Sequence, residues 1–198
     1  MPADGAARLR PRSRPGRRGT FVPPLTVTLP AVLTDGSDRE FRRVIYGLFV
    51  CAARLHDIRD AFGRRIAMTG ARYTVLIATA HLQGGAGVGV RTLADYLHVA
   101  PPHVTTEVGK LVAAGLLGKE RNPDDGRGVL VSLTPKGAEA LEALAPFLRR
   151  INDILFDGIT RAEFAAVVRF IDKFVVNTGR AELAIAEDER GRRNGGRD

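Results

Sequence analysis

The sequence has a single cysteine, Cys51, in 198 residues. An intramolecular disulfide framework is therefore excluded, and the usage fits a reducing, cytoplasmic compartment. Its four histidines, His56, His81, His98 and His103, fall at no metal-ligand spacing, so no metal site is expected. No apolar run approaches the length of a membrane span, and no membrane partner is expected. Nucleophile motifs are missing as well. There is no G-x-S-x-G elbow, and Ser13, Ser37 and Ser132 fall in a tail, a cap and a strand. The glycine-rich stretch "GGAGVGV" is followed by "RTLADYL", without the Lys-Ser/Thr of a P-loop, and a helix precedes it where a nucleotide fold needs a strand. An enzyme is not expected, and neither is a cofactor.

What the chain does have is positive charge, unevenly placed. The formal net charge is +8. Residues 1–20 hold six arginines (Arg8, Arg10, Arg12, Arg14, Arg17, Arg18) against Asp4, a balance of +5, so the body is only mildly basic. This Arg/Pro/Gly-rich tail lacks hydrophobic periodicity and reads as disordered. A basic arm reaching DNA and a merely solvated tail are both consistent with it. The following "FVPPLTVTLPAVL" is broken by Pro23, Pro24 and Pro30 and shows no small-residue cleavage pattern, so export is not expected.

Periodicity divides the remainder. An extended arm (21–36) leads to "SDRE", where Ser37 and Glu40 have the spacing of a capping box. Phe41, Val44, Ile45, Leu48, Cys51, Ala52, Leu55, Ile58 and Phe62 then recur at three- and four-residue steps, predicting a long amphipathic helix within 37–68. A second helix is predicted over 71–83, then a short extended piece at 88–90. "RTLADYLHV" follows with Thr92 as its expected N-cap, and a tight turn leads to a helix over 102–114. Val104, Val108, Leu111 and Val112 mark the buried stripe of that helix, and Gly115 stops it. Two short helices joined by such a turn form a helix-turn-helix. A hairpin comes next, with Val129, Val131 and Leu133 alternating along its second strand. Thr134 and Pro135 open another long helix as N-cap and N1 proline, with a kink or break expected at Pro146. Thr160 and Glu163 form the capping box of a last helix carrying Phe164, Val167, Val168, Ile171, Phe174 and Val175.

The expected architecture is thus mainly α with a small β-wing: a winged helix-turn-helix lobe (69–135), a dimerisation helix before it (37–68), dimerisation helices after it (136–180) and a polar tail (181–198). The apolar faces at both ends exceed what one small winged lobe needs, and a second subunit is the simplest cover for them.

The order of elements resembles the MarR family of bacterial transcriptional regulators over roughly residues 37–178. The resemblance rests on "L-A-D-Y-L-x-V", "V-x-x-L-x-x-A-G-L-L", "N-P-D-D-G-R" and "V-S-L-T-P-K-G", in register within residues 93–137. It implies a homodimer controlling transcription, usually by repression of a pseudo-palindromic operator on double-stranded DNA. Release comes from a small ligand or from oxidation.

In a winged module the second helix of the motif lies in the major groove. Here that places Pro102, His103, Thr105, Thr106 and Lys110 toward DNA. The family often has a basic residue where this chain has Thr106, so shape readout and the wing carry more of the specificity. By the same resemblance Arg127 enters the minor groove from the wing tip and Asp125 orients its guanidinium. Lys119 and Arg121 are expected to meet phosphates, and Asp124 is turn chemistry. The implied effector pocket offers Tyr46, Phe49, His56, Arg59, Tyr73 and His81, and its cationic groups suit an anionic aromatic or its coenzyme A thioester. Aromatic-compound catabolism or resistance genes are the expected targets. Cys51 lies on the apolar stripe, where a thiol is ordinarily inert packing. Redox sensing through Cys51 and non-specific DNA binding through the arginine tail are the alternative functions.

Overall fold

The structure, a computed structural model, describes residues 21, 23–123 and 128–195, with side chains as far as residue 193. Asp124, Asp125, Gly126, Arg127 and the tail 1–20 therefore lie outside the described residues. The chain divides into two units, residues 1–56 and 57–198.

In the first unit an extended arm contains one 3-10 turn, Pro30–Val32. Thr34 and Ser37 then exchange two backbone hydrogen bonds of 3.0 and 2.9 Å around a turn at Asp35 and Gly36, both with positive φ. The buried Asp38 carboxylate fastens the arm. It accepts from the Thr26 amide at 2.9 Å and the Thr26 hydroxyl at 2.7 Å, and pairs with Arg42 at 2.7 Å. These contacts, led by the Thr26 amide, hold the carboxyl below its usual range. Helix α1 (Arg39–Arg65) starts here. The expected capping box does not form: Ser37 Oγ accepts from the Arg39 amide at 3.2 Å, while Glu40 pairs with Arg43 at 3.1 Å. With the backbone turning at Asp35–Gly36, Asp38 becomes the residue that adjoins the helix, and the spacing slips by one. Cys51 is exposed, as are Val44, Tyr46, Phe49, Val50 and Leu55. The packing expected for Cys51 is thus absent from the single chain, because none of its own described residues covers that side of the helix.

The second unit takes in the end of α1 and runs α2 (Gly70–Leu82), β1 (Val88–Gly89), α3 (Val90–Leu97), α4 (Pro101–Ala113), β2 (Leu117–Arg121), β3 (Val129–Leu133), α5 (Pro135–Leu155) and α6 (Arg161–Gly195). The three strands form an antiparallel sheet in the order β1-β3-β2, with Lys119 opposite Val131 and Val88 on the other side of Val131. Apolar side chains from each layer meet in one core that includes Val75, Leu76, Leu93, Val104, Leu111, Leu117, Val131 and Leu144. Phe62, from the end of α1, sets its ring edge-on to Tyr73 of α2 and to Phe147 of α5, at 5.8 and 6.0 Å.

Helix α2 is capped by Thr69, whose hydroxyl accepts from the Arg72 amide at 3.3 Å. Helix α3 begins earlier than expected, with Gly89 as its N-cap instead of Thr92. Strand β1 ends at Gly89, so the chain enters the helix directly as it leaves the sheet. No break occurs at Pro146, and α5 is helical throughout. Both Pro146 and Glu142, whose carbonyl loses its helical donor, are exposed, so water can satisfy that oxygen. The Thr160 box forms as expected. Thr160 N–H donates to Glu163 at 2.8 Å, and the Glu163 amide donates back at 3.3 Å. Helix α6 continues through the polar stretch that follows residue 180, aided by i,i+4 pairs Asp188–Arg192 and Glu189–Arg193.

Candidate nucleic-acid interface

Helix α4 is held by its apolar stripe. Val104 and Leu111 are fully buried and Val108 nearly so. Its start carries Pro101 and Pro102, where the helix has no use for their missing amides. Its end is a Schellman turn: the Leu116 amide reaches Leu111 O at 2.9 Å and the Gly115 amide reaches Val112 O at 2.9 Å, with Gly115 at φ +71. Helix α3 ends similarly, with His98 in the left-handed region and the Val99 amide on Ala94 O at 3.1 Å. Only His98, Val99 and Ala100 separate the two helices.

With the stripe buried, Pro102, His103, Thr105, Thr106 and Lys110 are exposed, as the sequence predicts. Their chemistry is more restricted than their names suggest. The Thr105 and Thr106 hydroxyls each donate to a carbonyl four residues back, Pro101 O and Pro102 O, both at 3.0 Å. Outwardly each threonine is left with acceptor lone pairs and a methyl group. Lys110 is not a free cation either, since its Nζ donates to Glu107 Oε1 at 2.7 Å.

Glu107 went unrecognised in the sequence reading. It is 6% exposed, although it is charged and sits in the helix expected to read DNA. Its second oxygen accepts from Arg72 Nε, on α2, at 3.3 Å. The Lys110 hydrogen bond first, and the Arg72 bond after it, hold the carboxyl below its usual range against the opposing effect of burial. The i,i+3 spacing of Glu107 and Lys110 is a visible signal, but nothing local points to Arg72. A carboxyl depressed on folding stabilises the fold fully above its ordinary range, and that contribution is lost as pH falls through the depressed value. Urea denaturation at pH 7 and pH 4 should therefore show a larger acid loss in the wild type than in Glu107→Gln. At pH 7 the substitution itself should cost about 1–2 kcal/mol.

The wing is built on a firm base. The Leu133 amide donates to Gln83 Oε1 at 2.7 Å, tying β3 to the end of α2. Thr134 donates to Gly115 O at 2.7 Å and accepts from the Gly137 amide at 3.1 Å, while Lys136 Nζ caps the end of α4 through Ala114 O at 2.9 Å. Thus "TPKG" locks the start of α5 to the end of α4. Along β2 the chain passes from buried Leu117 to exposed Lys119 and Arg121 as it leaves the body. The Asn122 amide bonds Gly128 O at 3.0 Å and closes the hairpin stem. Beyond it, Asp125 and Arg127 lie outside the described residues.

The six effector candidates are placed differently from one another. Tyr46, Phe49 and His56 are exposed in the first unit. In the second, Tyr73 is a core residue whose phenol burial pushes above its usual range, and His81 is exposed on the last turn of α2. Arg59 alone of the six lines a cleft of about 630 Å³, together with Asp60, Arg64, Thr69, Gly70 and Arg72.

A helix pair across a three-residue turn, with a buried inner stripe, a polar outer face and an antiparallel hairpin behind it, defines the winged helix-turn-helix class of DNA-binding proteins. Residues 68–128 match the model of the MarR family, and the chain carries a MarR-family winged helix-turn-helix. Solved structures share the fold. A MarR protein from Peptoclostridium difficile is 23% identical, with 75% of this chain and 94% of that one covered, at a TM-score of 0.58. BpsR from Bordetella bronchiseptica, whose structure concerns regulation of its DNA binding by 6-hydroxynicotinic acid, is 25% identical over 65% of this chain and 98% of that one, at 0.50. The PcaV transcriptional regulator from Streptomyces coelicolor, in complex with its natural ligand, is 25% identical over 63% and 89%, at 0.51. No curated protein matches the sequence.

Proposed function

We propose that this chain is a ligand-responsive transcriptional repressor that binds a pseudo-palindromic operator as a homodimer and performs no catalysis. The observation that carries this reading is the α4 surface: a buried stripe of Val104, Val108 and Leu111 opposite an exposed polar face of His103, Thr105, Thr106 and Lys110. Thymine methyls and base-edge donors suit the threonines as they are bonded, and phosphates suit Lys119 and Arg121. Dimerisation is supported by exposed apolar side chains in α1 and α6 (Phe49, Phe164, Val168 and Ile171 among them), and two-fold symmetry would set two recognition helices about one DNA turn apart. The effector is an anionic aromatic compound or its coenzyme A thioester, and the controlled genes serve aromatic catabolism or resistance. The 6-hydroxynicotinic acid response of BpsR supports that ligand class.

A gel shift on the chain's own upstream region at rising salt tests the reading. Selective binding that outlasts added competitor DNA is expected, and weak, sequence-blind binding would reject it. Arg127→Ala should cost about 1–3 kcal/mol of operator affinity. If Asp125 acts by aiming Arg127, the double variant with Asp125→Ala should bind no worse than Arg127→Ala alone. Additive losses would separate the two roles.

A further inference from the structure

We propose that the cleft beside the start of α2 binds a small oxyanion, such as an organic carboxylate, and that Arg72 relays its occupancy to the recognition helix. The inference rests on the DNA-binding reading above and adds to it a site and a route.

The cleft volume of about 630 Å³ suits a small organic molecule. Three guanidiniums, Arg59, Arg64 and Arg72, line it against one carboxylate, Asp60, which is already paired with Arg59 at 3.2 Å. The balance of the lining is positive, and the first turn of α2, at Gly70 and Arg72, adds the favourable end of a helix dipole. Arg72 is the pivotal group. Its Nε donates to Glu107 at 3.3 Å, long for a charge-assisted bond, whereas Lys110 holds the same carboxylate at 2.7 Å. Among the described residues nothing accepts from the Nη groups of Arg72, so the guanidinium that borders the cleft keeps donors for a two-point grip on a carboxylate or phosphate.

An oxyanion gripped by Arg72 competes with Glu107 for it. Glu107 is buried and then depends on Lys110 alone for compensation, so Lys110 is drawn closer and offers less charge to a DNA phosphate. The converse follows from linkage: DNA that engages Lys110 leaves Glu107 to Arg72 and draws Arg72 out of the cleft. Effector and operator thus compete for opposite ends of the chain Arg72–Glu107–Lys110.

The test is a titration of the full chain with benzoate and, separately, with inorganic phosphate at constant ionic strength, followed by the ¹⁵N signals of arginine Nε and of the α4 amides. Saturable shifts are expected at Arg64, Arg72, Glu107 and Lys110. Arg64→Gln, at an exposed position, should weaken anion binding about tenfold for a lost charged contact. Response to both probes supports a general oxyanion site, and response to benzoate alone supports an organic carboxylate. Saturating benzoate should lower affinity for the upstream DNA about fivefold or more in the wild type and leave the affinity of Glu107→Gln unmoved. Absence of saturable shifts with either probe, while selective DNA binding persists, overturns the cleft and leaves the regulator reading standing. An equal benzoate effect in Glu107→Gln overturns the relay. Anion shifts without selective DNA binding overturn the regulator reading, and the relay with it.

Discussion

Gly137→Ala should destabilise the protein by about 3 kcal/mol, a large loss for the addition of one methyl group. A Cβ at this position falls on the Leu116 carbonyl oxygen and lies 3.2 Å from Leu133 Cδ2. The oxygen cannot readily retreat, because it accepts the Thr134 amide at 3.1 Å in the junction that docks α5 on α4. Room for the methyl group requires that α5 move off the end of α4, which would also strain the Thr134–Gly115 and Lys136–Ala114 hydrogen bonds. Gly109→Ala is the matched control. It sits within α4 with nothing within 4 Å of its added Cβ, so the same exchange should gain about 0.5–1 kcal/mol from helix propensity. Urea denaturation of the two variants against the wild type measures both. Equal midpoints for Gly137→Ala and the wild type would show that the junction yields.

Charging the exposed face of α6 should have the largest effect on DNA binding. Phe164, Val168, Ile171 and Val175 recur at steps of four, three and four residues, and Val168 and Ile171 are 44% and 43% exposed in the single chain. Such a stripe suits a symmetric contact, in which residues near the two-fold axis meet their own copies. Val168→Glu with Ile171→Glu would then set like charges against one another in an apolar interface. Because both side chains are already substantially exposed in one chain, little of the chain's own core is at stake. The double variant is expected to sediment at the monomer mass and to lose roughly 100-fold or more in operator affinity, as the second half-site contact is no longer tethered to the first. Thermal stability should fall and become insensitive to protein concentration. Wild-type sedimentation by the variant would place the subunit contact elsewhere.

Much of the α4 surface was legible in the sequence because a helix held to a core by one stripe leaves the rest of its circumference to solvent. Val104, Val108 and Leu111 define that stripe by spacing alone, and the exposure of His103, Thr105, Thr106 and Lys110 follows. The Thr134 and Thr160 caps were legible for a similar reason, since each acts within three residues. Where reading failed, a distant group intervened. Ser37 and Glu40 have the correct spacing for a capping box, but the turn at Asp35–Gly36 and the contact of Asp38 with Thr26, twelve residues earlier, shift the cap. Thr92 lost its expected place because β1 pairs with β3 and ends immediately before α3.

The same distinction separates the two parts of the function. Periodicity, turn chemistry and caps determined a winged helix-turn-helix and the face it turns outward, because these depend on neighbours three or four residues apart. Tertiary structure alone decided that Lys110 is held by Glu107, that Arg72 reaches the same carboxylate from 35 residues away, and that Arg59 borders a cleft while Tyr73 lies in the core. A buried charge takes its partner from whatever the fold brings within reach, and sequence spacing carries no record of that proximity.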